Sequence, residues 1–307
     1  MNLKELAKKE PRFVSGHRAC AGCGFPQIVR TALASTDKKV VVSNATGCLE
    51  VVSTIYPFSS WKVPYIHSAF ENAAATISGV ESAYNVLKKK GKIKEDIKFL
   101  AIGGDGGTAG IGLQALSGAF ERGHDFTYVQ YDNEAYQNTG VQMSSTTPKY
   151  TNTTTTPVGK VHRGNEFYRK DIIKIALAHN IPYIAQASVG DLVDLSNKMQ
   201  KAFETRGPCF ISVLQPCVPG WKIDPSQTIK IAKLGYETGI WPLFEIENGN
   251  FKLNYTSEKL KPVKDYLSLQ GRFKHLNDKE IEEIQKLVNS DWELLKQGKF
   301  WDIKKLF

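Results

Sequence analysis

The segment KFLAIGGDGGTAGIGLQALSGAF, residues 98–120, constrains the fold more than any other part of the chain. An apolar strand run stops at five residues, four of them glycine, and a run with helical spacing follows at once. Such a junction belongs to a parallel sheet with crossover helices, and the same alternation runs through most of the length. Strands are expected at 40–43, 99–103, 126–131, 182–186 and 209–214, and helices at 26–34, 71–89, 110–122, 170–179 and 191–205. Apolar residues three and four apart fit helices lying on a sheet. The expected fold is therefore α/β, a mostly parallel sheet with helices on both faces over residues 1–235. A C-terminal extension over 236–307 follows, in which LFEIENGNFKLNY reads as a hairpin around Asn248 and Gly249 and 277–295 as an amphipathic helix capped by Asn277. The extension is expected to pack on the core or on a partner without chemistry of its own.

At 307 residues and 41% hydrophobic the chain can bury a sizeable core. It has no apolar stretch long enough to span a membrane, and MNLKELAKKEPRF lacks the apolar centre of a signal peptide, so a cytoplasmic protein without membrane contact is expected. The net charge of +9 sits largely in scattered lysines such as Lys88, Lys89 and Lys90. Neither a Cys/His finger nor a ribonucleoprotein signature accompanies it, which argues against nucleic acid.

The glycine junction carries the first chemistry. In open α/β sheets ligands bind beyond the carboxyl ends of the strands. Gly103, Gly104, Gly106 and Gly107 allow positive φ and close backbone approach to a phosphate, which the next helix N-terminus also favours. Asp105 would repel a bare phosphate there, so it suggests a bridging magnesium ion. The following strand ends in Asp132, Asn133, Glu134, Ala135, Tyr136, Gln137 and Asn138, and adjacency of the two strands would set Asn133 beside Asp105. Gly-Asp-Gly alone is an ordinary turn. With strand, helix, second strand and Asn133 in register, it is the fingerprint of thiamine diphosphate enzymes.

The second chemistry lies in the cysteines. Cys20 and Cys23 form C-x-x-C among small residues that let N–H groups face sulfur. Cys48 follows the first strand and Cys217 the fifth, so all four are expected at the sheet edge that holds Asp105. Four thiolates there suit a [4Fe–4S] cluster or zinc, although structural zinc sites usually use two close pairs. Cys209 lies within a strand run and is expected to pack as a small hydrophobe. Between the two sites in sequence, the threonine-dense stretch SSTTPKYTNTTTTP, 144–157, has little to bury and is expected to be a loop, of a length that is usually functional or disordered.

With HRACAGCG, NATGCLEVV, PYIHSAFENAAATISG, GGDGGTAGIGLQALSGA and YDNEAYQNTGVQ, the chain from about Ser15 to Pro219 resembles the β subunit of pyruvate:ferredoxin oxidoreductases, in the 2-oxoacid:ferredoxin oxidoreductase family. The resemblance implies that Asp105, Asn133 and the Ala135 carbonyl hold magnesium, and that Gly104, Asp105, Gly106 and Gly107 with the segment Asn133, Glu134, Ala135, Tyr136, Gln137 and Asn138 bind thiamine diphosphate, with Cys48 nearby. It implies a catalytic position for Asn138, close to substrate and thiazolium, and a [4Fe–4S] cluster on Cys20, Cys23, Cys48 and Cys217. Phe25 stands where some members carry an acid, and no role follows for His67, Glu71 or Asn72. The implied reaction converts pyruvate and coenzyme A reversibly to acetyl-CoA, carbon dioxide and reduced ferredoxin. The implied partners are a pyrimidine-domain subunit, a ferredoxin-like subunit and ferredoxin. Other readings are the same chemistry on 2-oxoglutarate, a branched-chain or aryl 2-oxoacid or oxalate, and a non-catalytic electron carrier.

Overall fold

Short β-branched and apolar runs form β1 (Lys39–Asn44), β2 (Tyr65–His67), β3 (Ile97–Gly104), β4 (Thr127–Asp132), β5 (Tyr183–Ser188) and β6 (Cys209–Leu214). In the computed structural model, which describes residues 2–304 and 307, these six lie parallel in the order β2-β1-β3-β4-β6-β5. Every residue of β4 and β6 is buried, as expected where helices cover both faces of a parallel sheet. The extension continues the same sheet: β7 (Phe244–Glu247) pairs antiparallel with β5, and β8 (Asn250–Leu253) with β7. Their connection is the expected two-residue turn, with Asn248 and Gly249 both at positive φ, 49° and 81°.

Helices Phe25–Ala34 and Leu192–Glu204 cover one face, packing Ile28, Leu33, Met199 and Phe203 against Val42, Leu100 and Ile211. Helices Ala73–Lys89, Leu113–Glu121 and Ile172–Ala178 cover the other through Ile77, Leu116, Phe120 and Ile173. A third core, with Trp221, Trp241, Tyr266 and Ile284, ties the extension to the end of β6. Each fully buried Leu, Ile or Phe contributes roughly 1.5–3 kcal/mol, so these faces fix the sheet on which the loops stand. Helix Asp278–Lys296 has the expected cap: Asn277 Oδ1 accepts from the Glu280 N–H, and the Glu280 carboxylate accepts from the Asn277 N–H.

Two features differ from expectation. β2 is three residues long, too short for any periodicity to register, and the helix expected from residue 110 begins at Leu113. Residues Gly106–Ile111 instead wind as a wider π turn, broken at Gly110, where ψ is −107°.

The register brings Asn44 beside Ile102, Gly104 beside Tyr131 and Asp132 beside Leu214, so the loops after β1, β3, β4 and β6 leave one edge together. β1 has β2 on one side and β3 on the other, and the chain's connections diverge there, which opens a crevice. Among the described residues no helix is long and apolar enough to cross a membrane.

Candidate functional site

A cavity of about 150 Å³ occupies that crevice, lined by residues 46–48, 104–107 and 135–139 with Phe70, Tyr131 and Asn133. The glycines serve it differently from the expectation of positive φ, since none of Gly103, Gly104, Gly106 and Gly107 has one. They are small because neighbours leave no room: a Cβ on Gly106 would stand 2.1 Å from the Tyr136 ring, and one on Gly103 2.4 Å from Tyr128 Oη. The two tyrosines take the space that side chains at the turn would fill.

Asp105 follows β3 and is 1% exposed. Its Oδ2 accepts from Ser144 Oγ and from Thr146 Oγ1, the latter at 3.0 Å. The Thr146 hydroxyl is also 3.0 Å from Asp132 Oδ1, so two buried carboxylates share one donor. Burial, reinforced by the charge of Asp132, pushes the Asp105 pKa well above the usual carboxylate range. Asp132 is pushed up to about 6 by burial and by Glu134, against the pull of Arg169.

These hydroxyls correct the reading of 144–157. That stretch is irregular, as expected, yet Ser144, Thr146, Thr147, Thr151 and Thr153 are buried. Ser144 and Thr146 can be buried because they donate to Asp105, and Thr147 because it donates to the Glu134 carbonyl at 2.7 Å. Their density in the sequence was the available signal; what it lacked was a partner.

Glu134, which follows Asn133, adopts a left-handed backbone, φ 64°, uncommon for a side-chain-bearing residue. Its N–H donates to Asp132 Oδ1 at 3.0 Å, and its buried carboxylate pairs with Arg169 at 3.2 Å and with Arg272 at 2.5 Å. Arg169 also donates to Asp132 at 2.7 Å and lies over the Trp241 ring. Two buried acids and two arginines therefore hold this turn, and neither arginine was apparent from sequence. The Asn133 carbonyl accepts from Gln137 Nε2 at 2.7 Å and Trp221 Nε1 at 2.9 Å.

The Asn133 amide stands 2.9 Å from both Asp105 Oδ1 and the Ala135 carbonyl. With nitrogen toward them it donates to both. With oxygen toward them, the Asn133 oxygen stands from each of the other two at 2.9 Å, roughly the spacing of adjacent ligands of an octahedral ion with bonds of about 2.0–2.1 Å. The donor set therefore fits a small hard cation that would release the carboxylate repulsion. Tyr136 and Gln137 line the cavity wall, and Asn138 stands exposed at its mouth.

Cys20, Cys23, Cys48 and Cys217 meet beside this loop, each close enough to act electrostatically on the others. Cys20 is exposed, Cys23 and Cys48 are half-buried and Cys217 is buried. Burial and the neighbouring sulfurs raise the thiols of Cys23 and Cys48 to about 12, and burial above all raises Cys217 to about 11. Backbone N–H groups of Phe25, Cys48 and Gly220 face the sulfurs of Cys23, Cys48 and Cys217, and Gln215 Nε2 donates to Cys23 Sγ at 3.7 Å. Donors of this kind favour thiolate, the ligand form. Among the described residues no three His, Cys, Asp or Glu side chains already stand at the spacing of one shared metal ion.

Cys209 lies apart, buried at the other end of β6, near Asp125 and Lys98. Phe25 is buried against Tyr131. Tyr131 itself stands between the glycine turn and the cysteines, with its phenol against Gly47 and Gly104. His67 is exposed, and its Nε2 is within hydrogen-bonding distance, 2.9 Å, of the Thr46 hydroxyl on the cavity wall.

Comparison with known proteins first gives the class. The family described as thiamine pyrophosphate enzyme, C-terminal TPP binding domain, matches residues 45–213, which include the glycine turn and the Asn133 loop. The chain is 53% identical to pyruvate synthase subunit PorB of Methanocaldococcus jannaschii, over 94% of this chain and 97% of that one. It is 48% identical to PorB of Thermotoga maritima over 96% and 95%, and 44% identical to ketoisovalerate oxidoreductase subunit VorB of Pyrococcus abyssi over 94% and 93%. The chain belongs to the PorB family of oxidoreductase subunits. In fold it is similar to 2-oxoglutarate:ferredoxin oxidoreductase from Magnetococcus marinus, at a TM-score of 0.57 and 18% identity, over 89% of this chain and 94% of that one.

Proposed function

We propose that this chain is the subunit of a pyruvate synthase that binds the diphosphate of thiamine diphosphate through magnesium and carries a [4Fe–4S] cluster on Cys20, Cys23, Cys48 and Cys217. The reaction is pyruvate plus coenzyme A plus two oxidised ferredoxins to acetyl-CoA, carbon dioxide, a proton and two reduced ferredoxins, or its reverse, in the cytoplasm. What carries the reading is one observation: the Asp105–Asn133–Ala135 oxygen set and the four cysteines stand on the same sheet edge, on either side of Tyr131.

Asp105, the Asn133 side chain and the Ala135 carbonyl would hold magnesium, and the backbone of residues 104–107 and 133–138 would hold the diphosphate. Thiamine diphosphate supplies, when bound, the nucleophile for the 2-oxo carbon and the sink for the electrons left by carbon dioxide. Ser144 and Thr146 orient Asp105 by donating to its Oδ2, which leaves Oδ1 for the cation. Glu134, fixed by two arginines, sets the direction of the Ala135 carbonyl. Asn138 at the mouth can donate to a substrate oxygen. The backbone N–H groups at Cys23, Cys48 and Cys217 would lower the charge density on cluster sulfurs.

The test is dye reduction by the anaerobically purified complex. Pyruvate and coenzyme A should both be required, chelation of magnesium should abolish turnover, and this chain should hold about four irons. Zinc in place of iron, or turnover without thiamine diphosphate, would refute the reading. A branched-chain 2-oxoacid is the second reading, favoured by the 44% identity to a ketoisovalerate oxidoreductase subunit. The same assay with 2-oxoisovalerate separates the two.

A further inference from the structure

We infer that Arg272, delivered by the C-terminal extension, is a positioning residue that joins the two halves of the site, fixing the 132–138 loop through Glu134 and lending positive charge to the Cys217 end of the cysteine cluster. The inference rests on the proposed reading of the two sites and deepens it.

Arg272 is 1% exposed, and a guanidinium cannot shed its charge, so its burial must be compensated. One side of it is. Nη2 donates to Glu134 Oε2 at 2.5 Å, Nε donates to Gln270 Oε1 at 2.9 Å, and the plane lies 3.6 Å from the centre of the Trp221 ring. Nη1 is buried with no partner among the described residues. An unfilled donor on a buried cation is costly for an ion pair that only stabilises the fold, and a hydrophobic replacement is often as stable.

The surroundings give that cation two tasks. Glu134 is the left-handed residue between Asn133 and Ala135, and such a backbone persists only where its surroundings over-determine it. Arg272 supplies one of the two salt bridges that do so, and Arg169 the other. Trp221, on which Arg272 stacks, donates to the Asn133 carbonyl, and its own N–H donates to the Cys217 carbonyl at 2.8 Å. One stack therefore touches the turn after β4 and the turn after β6. Through that stack the guanidinium sits against the residue whose N–H closes the turn at Cys217, so its positive charge is held at the Cys217 end of the cysteine cluster.

Arg272→Met and Arg272→Lys in the full, iron-loaded chain test this, with iron content and melting temperature as checks on folding. Two quantities are read: the potential of the bound cluster in the chain, and magnesium-dependent affinity for thiamine diphosphate in the complex that co-purifies with it. Arg272→Met should weaken the affinity at least tenfold and lower the potential, shifting the reduced-to-oxidised ratio about tenfold at fixed potential, or roughly 59 mV for one electron. Arg272→Lys keeps the charge and loses the planar fork, so it should restore the potential and leave the affinity weakened. A folded Arg272→Met chain with both quantities unchanged overturns the inference. If Arg272→Met does not fold, Glu134→Gln decides: weakened affinity without a fall in potential supports the link, and unchanged affinity overturns it. Failure of the unsubstituted chain to hold iron, or of its complex to bind the cofactor, refutes the functional reading instead.

Discussion

Asp105 can be removed as a charge without being removed as a shape. In the chain without cation its carboxylate is buried near Asp132 and repelled by it, so Asp105→Asn should leave the fold intact and the melting temperature undiminished. Toward the proposed magnesium the same change would delete a carboxylate ligand, at about 2–3 kcal/mol, or roughly 30- to 150-fold in thiamine diphosphate affinity. Titration of the assembled complex with and without chelator reads this, and unchanged affinity would reduce the glycine turn to a turn. The cysteines divide in the same way. Cys217→Ser should lower bound iron, whereas Cys209→Ser, at the far end of β6, should leave iron at four and cost about 1 kcal/mol of packing. Equal iron loss in both would exclude Cys217 as the fourth ligand. The positions of Asp105, Asn133, Cys48 and Cys217 were legible because each follows a strand whose end the sequence marks, and those of Cys20 and Cys23 because their C-x-x-C spacing is itself a local pattern. Ser144, Thr146, Arg169 and Arg272 were not, because Asp105 and Glu134, the acids they serve, lie between 35 and 138 residues away and no local pattern announces such pairs.

At the level of elements, the sequence signal followed burial. β3, β4 and β6 are buried on both faces and read as continuous apolar runs, whereas the three-residue edge strand β2 left no pattern. Helix starts next to Asp171, Asp191 and Asn277, whose side chains accept backbone N–H groups, fall within one or two residues of expectation, and the widest miss, three residues, is the start at Leu113. The π turn at Gly106–Ile111 was invisible because one inserted residue does not change composition. Helix Asp278–Lys296 carries a test of its own. Asp291 faces a cavity with Phe300 and Val288, and burial lifts it to about 6 against the pull of Lys174. An acid whose folded pKa is raised weakens the fold as pH climbs from its unfolded value near 4 through 6, and costs nothing below both. Discounted for partial exposure, the cost at neutral pH is about 1–2 kcal/mol. Asp291→Asn should therefore raise the melting temperature by a few degrees at pH 7.5 and not at pH 4. A gain of equal size at both values would assign the effect to packing.

On the proposed reading, the molecule as a whole presents half of a thiamine site. Decarboxylation on this cofactor needs a carboxylate against the aminopyrimidine to promote loss of the thiazolium proton. Among the described residues lining the cavity only Asp105 is a carboxylate; its Oδ2 is engaged with Ser144 and Thr146, and its Oδ1 is the oxygen proposed for the cation. The cavity opens at the sheet edge with Asn138 and Thr139 exposed at its mouth, so the remainder of the cofactor would emerge toward whatever covers that edge. For the proposed cluster, electron exit would have the same character, since Cys20 is exposed while Cys217 is buried. The chain alone should consequently bind magnesium and the diphosphate end weakly and reduce no dye with pyruvate and coenzyme A at any cofactor concentration. Addition of a subunit that offers a carboxylate over the open edge should restore turnover and tighten thiamine diphosphate binding together, because one docking event completes both. Stopped-flow dye reduction by the isolated, iron-loaded chain, before and after mixing with its co-purifying subunits, measures this. Turnover by the isolated chain would mean that a carboxylate of its own reaches the pyrimidine, contrary to the lining of the cavity.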